Sequence, residues 1–504
     1  MDELRRVGVD YVLMRHEANA GIAAAVYGKL RKRPGVVLTT LGPGAANLML
    51  PLSNAYLDQE PLLAISAQIP DDFPPTHTHQ LLPLHDAYRP LTRYVEKITA
   101  HNVGDVVPRA LAACMKRPFG TAYLTLSARE ALKPLDVRPR MTAAEPAAIT
   151  PAPNREHARG KAHDLIDLLG KAKRPLVLIG LGVDPAHAAR IRQWVNAWDL
   201  PVAVTPKVKG LVDETADNFV GVISGMAADG LMCEALRSAD LLIGFGLDPV
   251  EIDKTWHAEL PIEWILDAPN VGEIVPPATA LVDHAQLLEA LAEHEPRPTW
   301  SRPFREFQEK RRAMLNDRSE TPGTMWPGDI VRVLAEVFPP ETIVTTDVGS
   351  HKYLFGQFWP SRQPETFWMS NGLSGMAYGL SAAIGAKLAR PDVPVLAVVG
   401  DGGFSMNAQE LETADRVGAP FITVVLEDGS YSLITLAQEG KNLEPYRTDF
   451  RPIDTVKMAE ACGVEGLRTS HPDELASAAR RAIERGRSLV IGVPVNYADY
   501  RRMF

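Results

Sequence analysis

Two acidic turns in the last third of the chain have the composition of a metal site. The turn GDGG at residues 400–403 follows the apolar run VPVLAVV, and the turn EDG at residues 427–429 follows PFITVVL. If these runs are neighbouring parallel strands, Asp401 and Asp428 converge at their carboxyl ends. Two carboxylates, a backbone carbonyl and diphosphate oxygens would form the all-oxygen ligand set that Mg²⁺ prefers. For Gly-Asp-Gly alone, a helix-capping turn is the alternative interpretation.

The glycines beside Asp401 would let a phosphate approach the backbone. Gly400, Gly402 and Gly403 lack the Cβ that would block this approach. A helix is expected to begin near Ser405, with its free N–H groups directed at the turn. Because the negative charge of Asp401 would repel a phosphate, a cation should lie between them. The second acidic turn therefore favours a metal–diphosphate site over a plain turn.

The elements around these turns alternate apolar, β-branched runs with helical stretches in three successive blocks. Such runs are typical of buried parallel strands. We predict an α/β fold of three consecutive α/β domains with mainly parallel sheets, at residues 1–135, 158–295 and 325–500. Two Pro-rich polar stretches, 133–160 and 293–328, are expected to be linkers, the second with a charged helix inside it.

Length and composition restrict the class of protein. The chain has 504 residues, which is too long for one hydrophobic core. It is 46% hydrophobic and 23% charged, as soluble proteins are, and its net charge of −9 argues against nucleic acid as a partner. No run predicts a membrane span, and the start lacks a signal-peptide core. Three cysteines far apart in the sequence favour a reducing cytoplasm.

Several separated motifs resemble those of thiamine-diphosphate-dependent enzymes. The resemblance covers nearly the whole chain and is closest to the acetolactate synthases and their 2-oxo-acid decarboxylase relatives. The motifs are RHEANA, TTLGPGAANL, TDVGSH, NGLSGMAYGLSAAIGAK, and GDGGFSMNAQEL with EDGSYSLI. The resemblance implies pyrimidine-binding, central and diphosphate-binding domains that hold thiamine diphosphate and Mg²⁺. It also implies 2-oxo acid substrates, a role in branched-chain amino acid biosynthesis, and a homodimer or homotetramer with shared active sites.

The resemblance assigns the metal and the diphosphate to the third domain. Asp401 and Asp428 would supply side-chain ligands to the metal, and Ser430 would supply a backbone carbonyl. Glu427 and Asp428 replace the usual Asn-Asn pair, and the extra charge is expected to favour Mg²⁺ or to alter how the diphosphate is held. The diphosphate would be lined by Gly349, Ser350, His351, Gly400, Gly402, Gly403 and Tyr431.

The same resemblance assigns the other end of the cofactor. Glu17 would hydrogen-bond the pyrimidine ring and promote the imino tautomer that acts as internal base. This works only if Glu17 is shielded from water, since burial favours a shared proton. Met376 would be the apolar wedge that bends the cofactor, and Met376 N–H and the Ser374 carbonyl would bond the aminopyrimidine. An ordinary core methionine and a solvated glutamate are the alternatives.

The segment HTHQLLPLHDAYRP carries the candidate substrate residues. Gln80 falls at the position of the synthases' catalytic glutamine, and His79 falls where synthases commonly have Phe. Decarboxylases of the family often have a His pair nearby. His77, His79 and Gln80 are therefore compatible with either a synthase or a decarboxylase. A metal site of His77 and His79, or a plain loop, are further alternatives.

Two Gly-x-Gly turns in the middle block, in LVLIGLGVDP and LLIGFGLDP, are a weak nucleotide signal. The Arg/Asp-rich segment of flavin-binding synthases is replaced by GLDPVEIDKTW, so FAD is doubtful and tight structural turns are the alternative. Relatives also begin a few dozen residues earlier, and this sequence begins almost at the strand that leads to Glu17. We therefore expect either a misassigned start or a shortened first domain with an exposed sheet edge.

The sequence thus predicts decarboxylation of a 2-oxo acid with carboligation to a second 2-oxo acid. Gln80 favours this synthase-type reaction. The C-terminal part, which resembles the non-flavin, catabolic-type synthases, favours it as well. The alternatives are a decarboxylase without ligation and a catalytically silent cofactor-binding homologue.

Overall fold

Three parallel sheets, each covered by helices, form the molecule, as predicted. The computed structural model describes residues 2–74, 76–135, 154–252, 262–267, 280–296, 300 and 302–504. Residues 136–153 of the first predicted linker, and the part of GLDPVEIDKTW from residue 253 on, lie outside them. Every described helix is too short or too polar to cross a membrane.

The first domain has a four-stranded sheet in the order β1-β2-β4-β3. Its strands are β1 (Gly35–Thr39), β2 (Leu62–Gln68), β3 (Tyr94–Ile98) and β4 (Thr121–Ser127). Its helices are α1 (Asp2–Arg6), α2 (Glu17–Leu30), α3 (Pro43–Ala46), α4 (Met49–Leu57), α5 (Leu84–Tyr88), α6 (Val103–Met115) and α7 (Ala128–Ala131). β1 is an edge strand of the described sheet, and Val36 and Leu38 on it are 50% and 48% exposed.

The segment before Glu17 does not form the expected strand: residues 9–14 are neither helix nor strand. Its polar backbone groups are bound by the third domain instead. The Leu13 carbonyl accepts a hydrogen bond from Arg416 Nη2 at 2.6 Å, and the N–H groups of Arg15 and His16 donate to Glu410. A long-range contact has therefore replaced a local strand pairing.

The central domain has a six-stranded sheet in the order β10-β9-β8-β5-β6-β7. Its strands are β5 (Pro175–Ile179), β6 (Val202–Val204), β7 (Phe219–Val222), β8 (Leu241–Phe245), β9 (Ile262–Leu266) and β10 (Ala280–Leu281). Its helices are α8 (Arg155–Lys171), α9 (Ala188–Ala197), α10 (Asp229–Ser238) and α11 (His284–Leu291). The charged helix expected in the second linker is α12 (Arg305–Met314).

The third domain has a six-stranded sheet in the order β12-β11-β13-β14-β16-β15. Its strands are β11 (Ile343–Thr346), β12 (Phe367–Met369), β13 (Val395–Gly400), β14 (Ile422–Glu427), β15 (Glu465–Arg468) and β16 (Leu489–Pro494). Its helices are α13 (Pro327–Val337), α14 (Ser350–Phe358), α15 (Tyr378–Ala389), α16 (Asp401–Asn407), α17 (Glu410–Arg416), α18 (Ser432–Glu439), α19 (Thr455–Ala461) and α20 (Pro472–Arg485).

The strand order of the third sheet locates its ligand crevice. From β11 the chain continues to β12 on one side, and β13 lies on the other side, so the order reverses between β11 and β13. Ligands of open parallel sheets bind beyond the carboxyl ends of the strands at such a reversal. Residues 347–351 follow β11, and residues 400–403 begin at the last residue of β13. These two stretches include most of the predicted diphosphate residues.

The central and third domains share one hydrophobic core. Buried side chains of both sheets, such as Ile179 and Val344, belong to a single continuous cluster. The buried Gln357 side chain also binds the edge of the central sheet: its Oε1 accepts from Val222 N–H at 2.9 Å, and its Nε2 donates to the Val222 carbonyl at 2.8 Å. The two domains are therefore joined by both apolar burial and backbone hydrogen bonds.

Candidate active site

The two acidic turns converge, because β13 and β14 are hydrogen-bonded neighbours with Gly400 opposite Leu426. Asp401 Oδ2 accepts a hydrogen bond from Gly429 N–H at 2.9 Å. Burial and the nearby Asp428 charge raise the pKa of Asp401 to about 7, and burial raises the pKa of Asp428 to about 6. Two buried carboxylates that repel each other are a site that a divalent cation would stabilise. The residues present therefore fit the predicted metal.

Helix α16 begins at Asp401 rather than near Ser405. Gly402 and Gly403 adopt helical conformation directly, so the turn is the first turn of the helix and not a separate loop. Gly402 N–H donates to Asp401 Oδ1 at 2.9 Å. Ser430 N–H similarly donates to Asp428 Oδ1 at 3.0 Å. Both carboxylates are thereby fixed by the backbone of their own turns.

The side chain of the extra acidic residue, Glu427, is bound by residues outside the Asp401–Asp428 pair. Its Oε1 accepts from Thr455 Oγ1 at 2.5 Å, and its Oε2 accepts from Arg468 Nε at 2.6 Å. Because Arg468 pairs with this carboxylate, the negative charge of Glu427 is already compensated. The structure gives Glu427 a structural partner and leaves Asp428 as the carboxylate that faces Asp401.

His351 is a buried histidine with an unpartnered ring nitrogen. Among the described residues, His351 Nε2 has no hydrogen-bond partner, and burial lowers the pKa of the ring to about 3. Its ring packs against the backbone of Gly349 and Gly400, where a Cβ on Gly400 would lie 3.0 Å from Cε1. A neutral ring nitrogen at this place is suited to bind an oxygen of a diphosphate. Ser350, one residue earlier, shares a hydrogen bond of 2.7 Å with Ser432.

The glycines of the turn are required for different reasons. A Cβ on Gly402 would lie 3.0 Å from the ring of Tyr431, so this glycine keeps the space beside Tyr431 open. A Cβ on Gly403 would collide with the Asp347 carboxylate. Gly403 is therefore needed for packing against Asp347, whatever it contributes to a diphosphate.

Asp347 was not singled out from the sequence, although it lies within the TDVGSH motif at the end of β11. It is 1% exposed, and its carboxylate accepts hydrogen bonds from Ala377 N–H at 3.1 Å and Tyr378 N–H at 3.2 Å. Burial raises its pKa to about 6. An acidic residue directly after a buried strand was the signal that could have found it. Asp347 connects the end of β11 to the start of α15.

The segment 371–377, which carries Ser374 and Met376, has a strained backbone. Ser374 and Ala377 both have positive φ, at 54° and 64°, which is costly for residues other than glycine. Among the described residues, the Met376 N–H and the Ser374 carbonyl have no hydrogen-bond partner. Both backbone groups predicted to bond the aminopyrimidine are therefore available, and the Met376 side chain is half-buried.

Glu17 begins α2 and faces the LGPGAAN turn. Its Oε2 accepts a hydrogen bond from Asn47 Nδ2 at 3.0 Å, and a Cβ on Gly44 would lie 3.2 Å from its Oε1. The Asn47 bond lowers the pKa of Glu17, which is half-exposed. The described residues of the chain therefore shield Glu17 only partly from water, less than was predicted.

Three family profiles match in order: "Thiamine pyrophosphate enzyme, N-terminal TPP binding domain" at residues 1–87, the central domain at 162–292, and the C-terminal TPP binding domain at 347–493. An acetolactate synthase of Bacillus subtilis (strain 168) is 30% identical, over 99% of this chain and 88% of its own. The chain belongs to the thiamine pyrophosphate enzyme family. Within it, the chain is an enzyme of acetolactate synthase type.

Other members of the family are similar to this chain over nearly its whole length. The "Acetolactate synthase, catabolic" of Raoultella terrigena is 28% identical over 99% of this chain and 90% of its own. The large subunit of acetolactate synthase isozyme 2 of Escherichia coli (strain K12) is 28% identical over 95% of this chain and 87% of its own. The matched regions contain the site residues predicted from the motifs.

Gln80 lies against the LGPGAAN turn, which Glu17 also faces in this thiamine pyrophosphate enzyme. A Cβ on Gly42 would lie 2.9 Å from Gln80 Cβ, and Gly42 and Gly44 belong to the same turn. Gln80 is exposed and has a positive φ of 59°. His79 is also exposed, and His77 packs edge-on against Phe73 at 5.0 Å. In the described part of the chain, no third His, Cys, Asp or Glu joins His77 and His79 as a metal ligand, and this pair has no diphosphate or carbonyl predicted to complete it, as the Asp401–Asp428 pair has.

The Gly-x-Gly turns of the enzyme's central domain pack on each other. Gly182 N–H donates to the Gly246 carbonyl at 2.8 Å, and a Cβ on Gly180 would lie 2.7 Å from Leu247 Cα. The close approach of the two turns therefore explains these glycines without a nucleotide. The buried Glu251 fixes the first turn, since its Oε2 accepts from Leu181 N–H at 2.8 Å.

Proposed function

We propose that this enzyme uses thiamine diphosphate and Mg²⁺ to decarboxylate a 2-oxo acid and to join the product to a second 2-oxo acid. The convergence of Asp401 and Asp428 at the strand reversal carries the proposal, because it creates a cation site where a diphosphate would bind. The names of the relatives support the acetolactate synthase reaction. Branched-chain amino acid biosynthesis, in the cytoplasm, is the role that we propose.

In this proposal the third domain holds the metal and the diphosphate. Asp401 and Asp428 bind Mg²⁺ through carboxylate oxygens, and Ser430 binds it through its carbonyl. The cofactor supplies a thiazolium ring that accepts the electron pair released on decarboxylation. The diphosphate is held by Gly349, Ser350, His351, Gly400, Gly402, Gly403 and Tyr431. The neutral His351 ring supports this role, because its Nε2 has no partner among the described residues.

Glu17, Ser374 and Met376 bind the pyrimidine in this proposal. Glu17 is ionised at neutral pH, because the Asn47 hydrogen bond lowers its pKa, and it can accept a hydrogen bond from a pyrimidine nitrogen. The free Met376 N–H and Ser374 carbonyl supply one donor and one acceptor. Gln80, and His79 next to it, contact the 2-oxo acid from the side of Glu17.

We infer a homodimer or a homotetramer in which a second chain covers this site. Glu17 is only partly covered by the described residues of its own chain, and the reaction needs a site from which water is excluded. Large apolar side chains near the segment 371–377 are also exposed. Leu50 and Leu373 both lie within 4 Å of the place that a Cβ on Gly375 would occupy, and each is 37% exposed. A partner chain that buried them would exclude water from the reacting carbon. We infer that FAD is not required, since packing alone explains the central glycines.

Product analysis with pyruvate tests the proposed reaction. Purified protein with thiamine diphosphate and Mg²⁺ should release CO₂ and form acetolactate. Acetaldehyde in place of acetolactate would make the protein a decarboxylase without ligation, which the histidines beside Gln80 also allow. Cofactor binding without turnover on any of a panel of 2-oxo acids would make it a silent homologue.

A further inference from the structure

A group of buried charges connects all three domains beneath the segment 371–377. We refer to Asp58, Glu60 and Lys207 as the charge cluster. Their side chains are 1%, 0% and 2% exposed. Lys207 Nζ donates to Asp58 Oδ2 at 3.1 Å, to Glu60 Oε1 at 3.0 Å and to the Met369 carbonyl at 2.9 Å. All three protons of the ammonium group therefore have acceptors in the first and third domains.

Asp58 binds the start of the segment 371–377 directly. Its Oδ2 accepts from Asn371 N–H at 3.1 Å, and its Oδ1 accepts from Gly372 N–H at 2.7 Å. A Cβ on Gly372 would lie 2.6 Å from Leu57 Cβ and 3.0 Å from Val250 Cγ2. The backbone at Gly372 is thus held between the first and the central domain with no room for a side chain.

The charge cluster holds the segment through hydrogen bonds from backbone N–H groups to a carboxylate, in addition to the apolar packing at Gly372. Burial alone would lower the pKa of Lys207, but the two carboxylates outweigh this effect and keep the pKa raised. A charged carboxylate that accepts backbone N–H groups makes stronger hydrogen bonds than a neutral acceptor. Ion pairs at this depth are costly to desolvate, so they are weak devices for stability alone. Their location beneath a strained segment suggests a second purpose.

We propose that the Asp58–Lys207 pair is a positioning device for thiamine diphosphate, a role that rests on the proposed function. Asp58 fixes the N–H groups of Asn371 and Gly372 before the cofactor arrives. The strained residues that follow then present the Ser374 carbonyl and the Met376 N–H in the orientation that the aminopyrimidine requires. Lys207 holds the Asp58 carboxylate in place by its ion pair and brings in the central domain, which otherwise contributes no predicted cofactor residue.

A second buried pair in the same chain provides a matched control. Glu214 pairs with Lys209, and its carboxylate also accepts two backbone N–H groups, from Gly210 at 2.9 Å and from Ser361 at 3.2 Å. Ser361 lies in the third domain, so this pair also connects two domains. It does not contact residues 371–377.

The test compares Asp58→Asn with Glu214→Gln in the full-length protein. Each change keeps the size of the side chain and removes one buried charge. We expect both to lower the unfolding midpoint. Only Asp58→Asn should raise the dissociation constant for thiamine diphosphate with Mg²⁺, by about tenfold or more, the effect of losing about one charged hydrogen bond. The turnover number at saturating cofactor should change far less. Titration calorimetry on the cofactor-free proteins measures the binding.

An unchanged dissociation constant in Asp58→Asn, or an equal rise in Glu214→Gln, would overturn the proposal. If Asp58→Asn does not fold, amide hydrogen exchange in the cofactor-free wild type tests the proposal instead. The N–H groups of Asn371 and Gly372 should then exchange slowly without cofactor, and rapid exchange would overturn the proposal. A wild type that binds the cofactor but forms no acetolactate would refute the proposed reaction and leave this inference standing.

Discussion

The carboxylate of Glu410 accepts a hydrogen bond from Asn19 Nδ2 at 2.9 Å, deep inside the contact between the third and the first domain. The same carboxylate accepts from His16 N–H at 3.1 Å and from Thr413 Oγ1 at 2.7 Å. Glu17 lies between His16 and Asn19 in the sequence. A residue of the third domain therefore fixes the first turn of the helix that presents the proposed pyrimidine ligand.

Replacement of this anchor should damage both stability and catalysis. Glu410→Ala leaves the buried donors of Asn19 and Thr413 and the part-buried N–H of His16 unpaired, so we expect the free energy of unfolding to fall by about 3 kcal/mol. The turnover number should fall as well, because Glu17 loses its fixed position. Glu410→Gln is the control, since its amide oxygen can still accept from His16 and Asn19. Urea unfolding and pyruvate turnover measure the two effects; equal turnover in both variants would contradict the expected positioning of Glu17.

The two adjacent acidic residues after β14 should differ sharply in metal binding. Asp428→Ala removes a proposed ligand oxygen and should weaken Mg²⁺ binding at least about tenfold. Glu427→Gln should change it less than about threefold, because Glu427 is engaged with Thr455 and Arg468. Titration of Mg²⁺ in the presence of thiamine diphosphate measures both. A larger effect at Glu427 than at Asp428 would show that the wrong carboxylate has been placed at the metal.

Glu251 should make the stability of the protein dependent on pH. Burial raises its pKa from 4.5 in the unfolded chain to about 7 in the fold. The folded state then binds a proton that the unfolded state has lost, so this stabilisation is full below about pH 4.5 and disappears as the pH rises through 7. The loss should amount to roughly 3 kcal/mol. Chemical denaturation of wild type and Glu251→Gln between these pH values should show a steeper decline in the wild type; parallel curves would refute it.

Asn47 should set the pH range in which Glu17 works. Its hydrogen bond lowers the pKa of Glu17, so Asn47→Leu should raise that pKa. The acid side of the pH profile of cofactor-dependent turnover should then move to higher pH. An acid limb that stays in place in Asn47→Leu would mean that another group controls it.

The sheets of all three domains were predictable because their strands are continuous apolar runs of the right length. The meeting of Asp401 and Asp428 followed from the same reasoning, since it needs only that two neighbouring runs pair. Both results depend on local sequence and on the general geometry of parallel sheets.

The features that the sequence could not give depend on distant partners. Residues 9–14 are not a strand, because Arg416 and Glu410, some 400 residues away, bind the backbone around them. The orientation of Glu427 is set by Arg468, which lies 41 residues further on. The contacts of Asp347 with Ala377 and Tyr378 likewise bridge elements that no local pattern connects.

The bonding of Gln357 to β7 limits how this protein can exchange parts with its relatives. One amide side chain of the third domain completes the edge of the central sheet at Val222, so the contact depends on residues of both domains. A chimera that takes its central domain from a relative would retain that edge only if the relative's residues complemented position 357. Crossovers within 293–328 therefore separate two segments of sequence, but they do not separate two independent folding units.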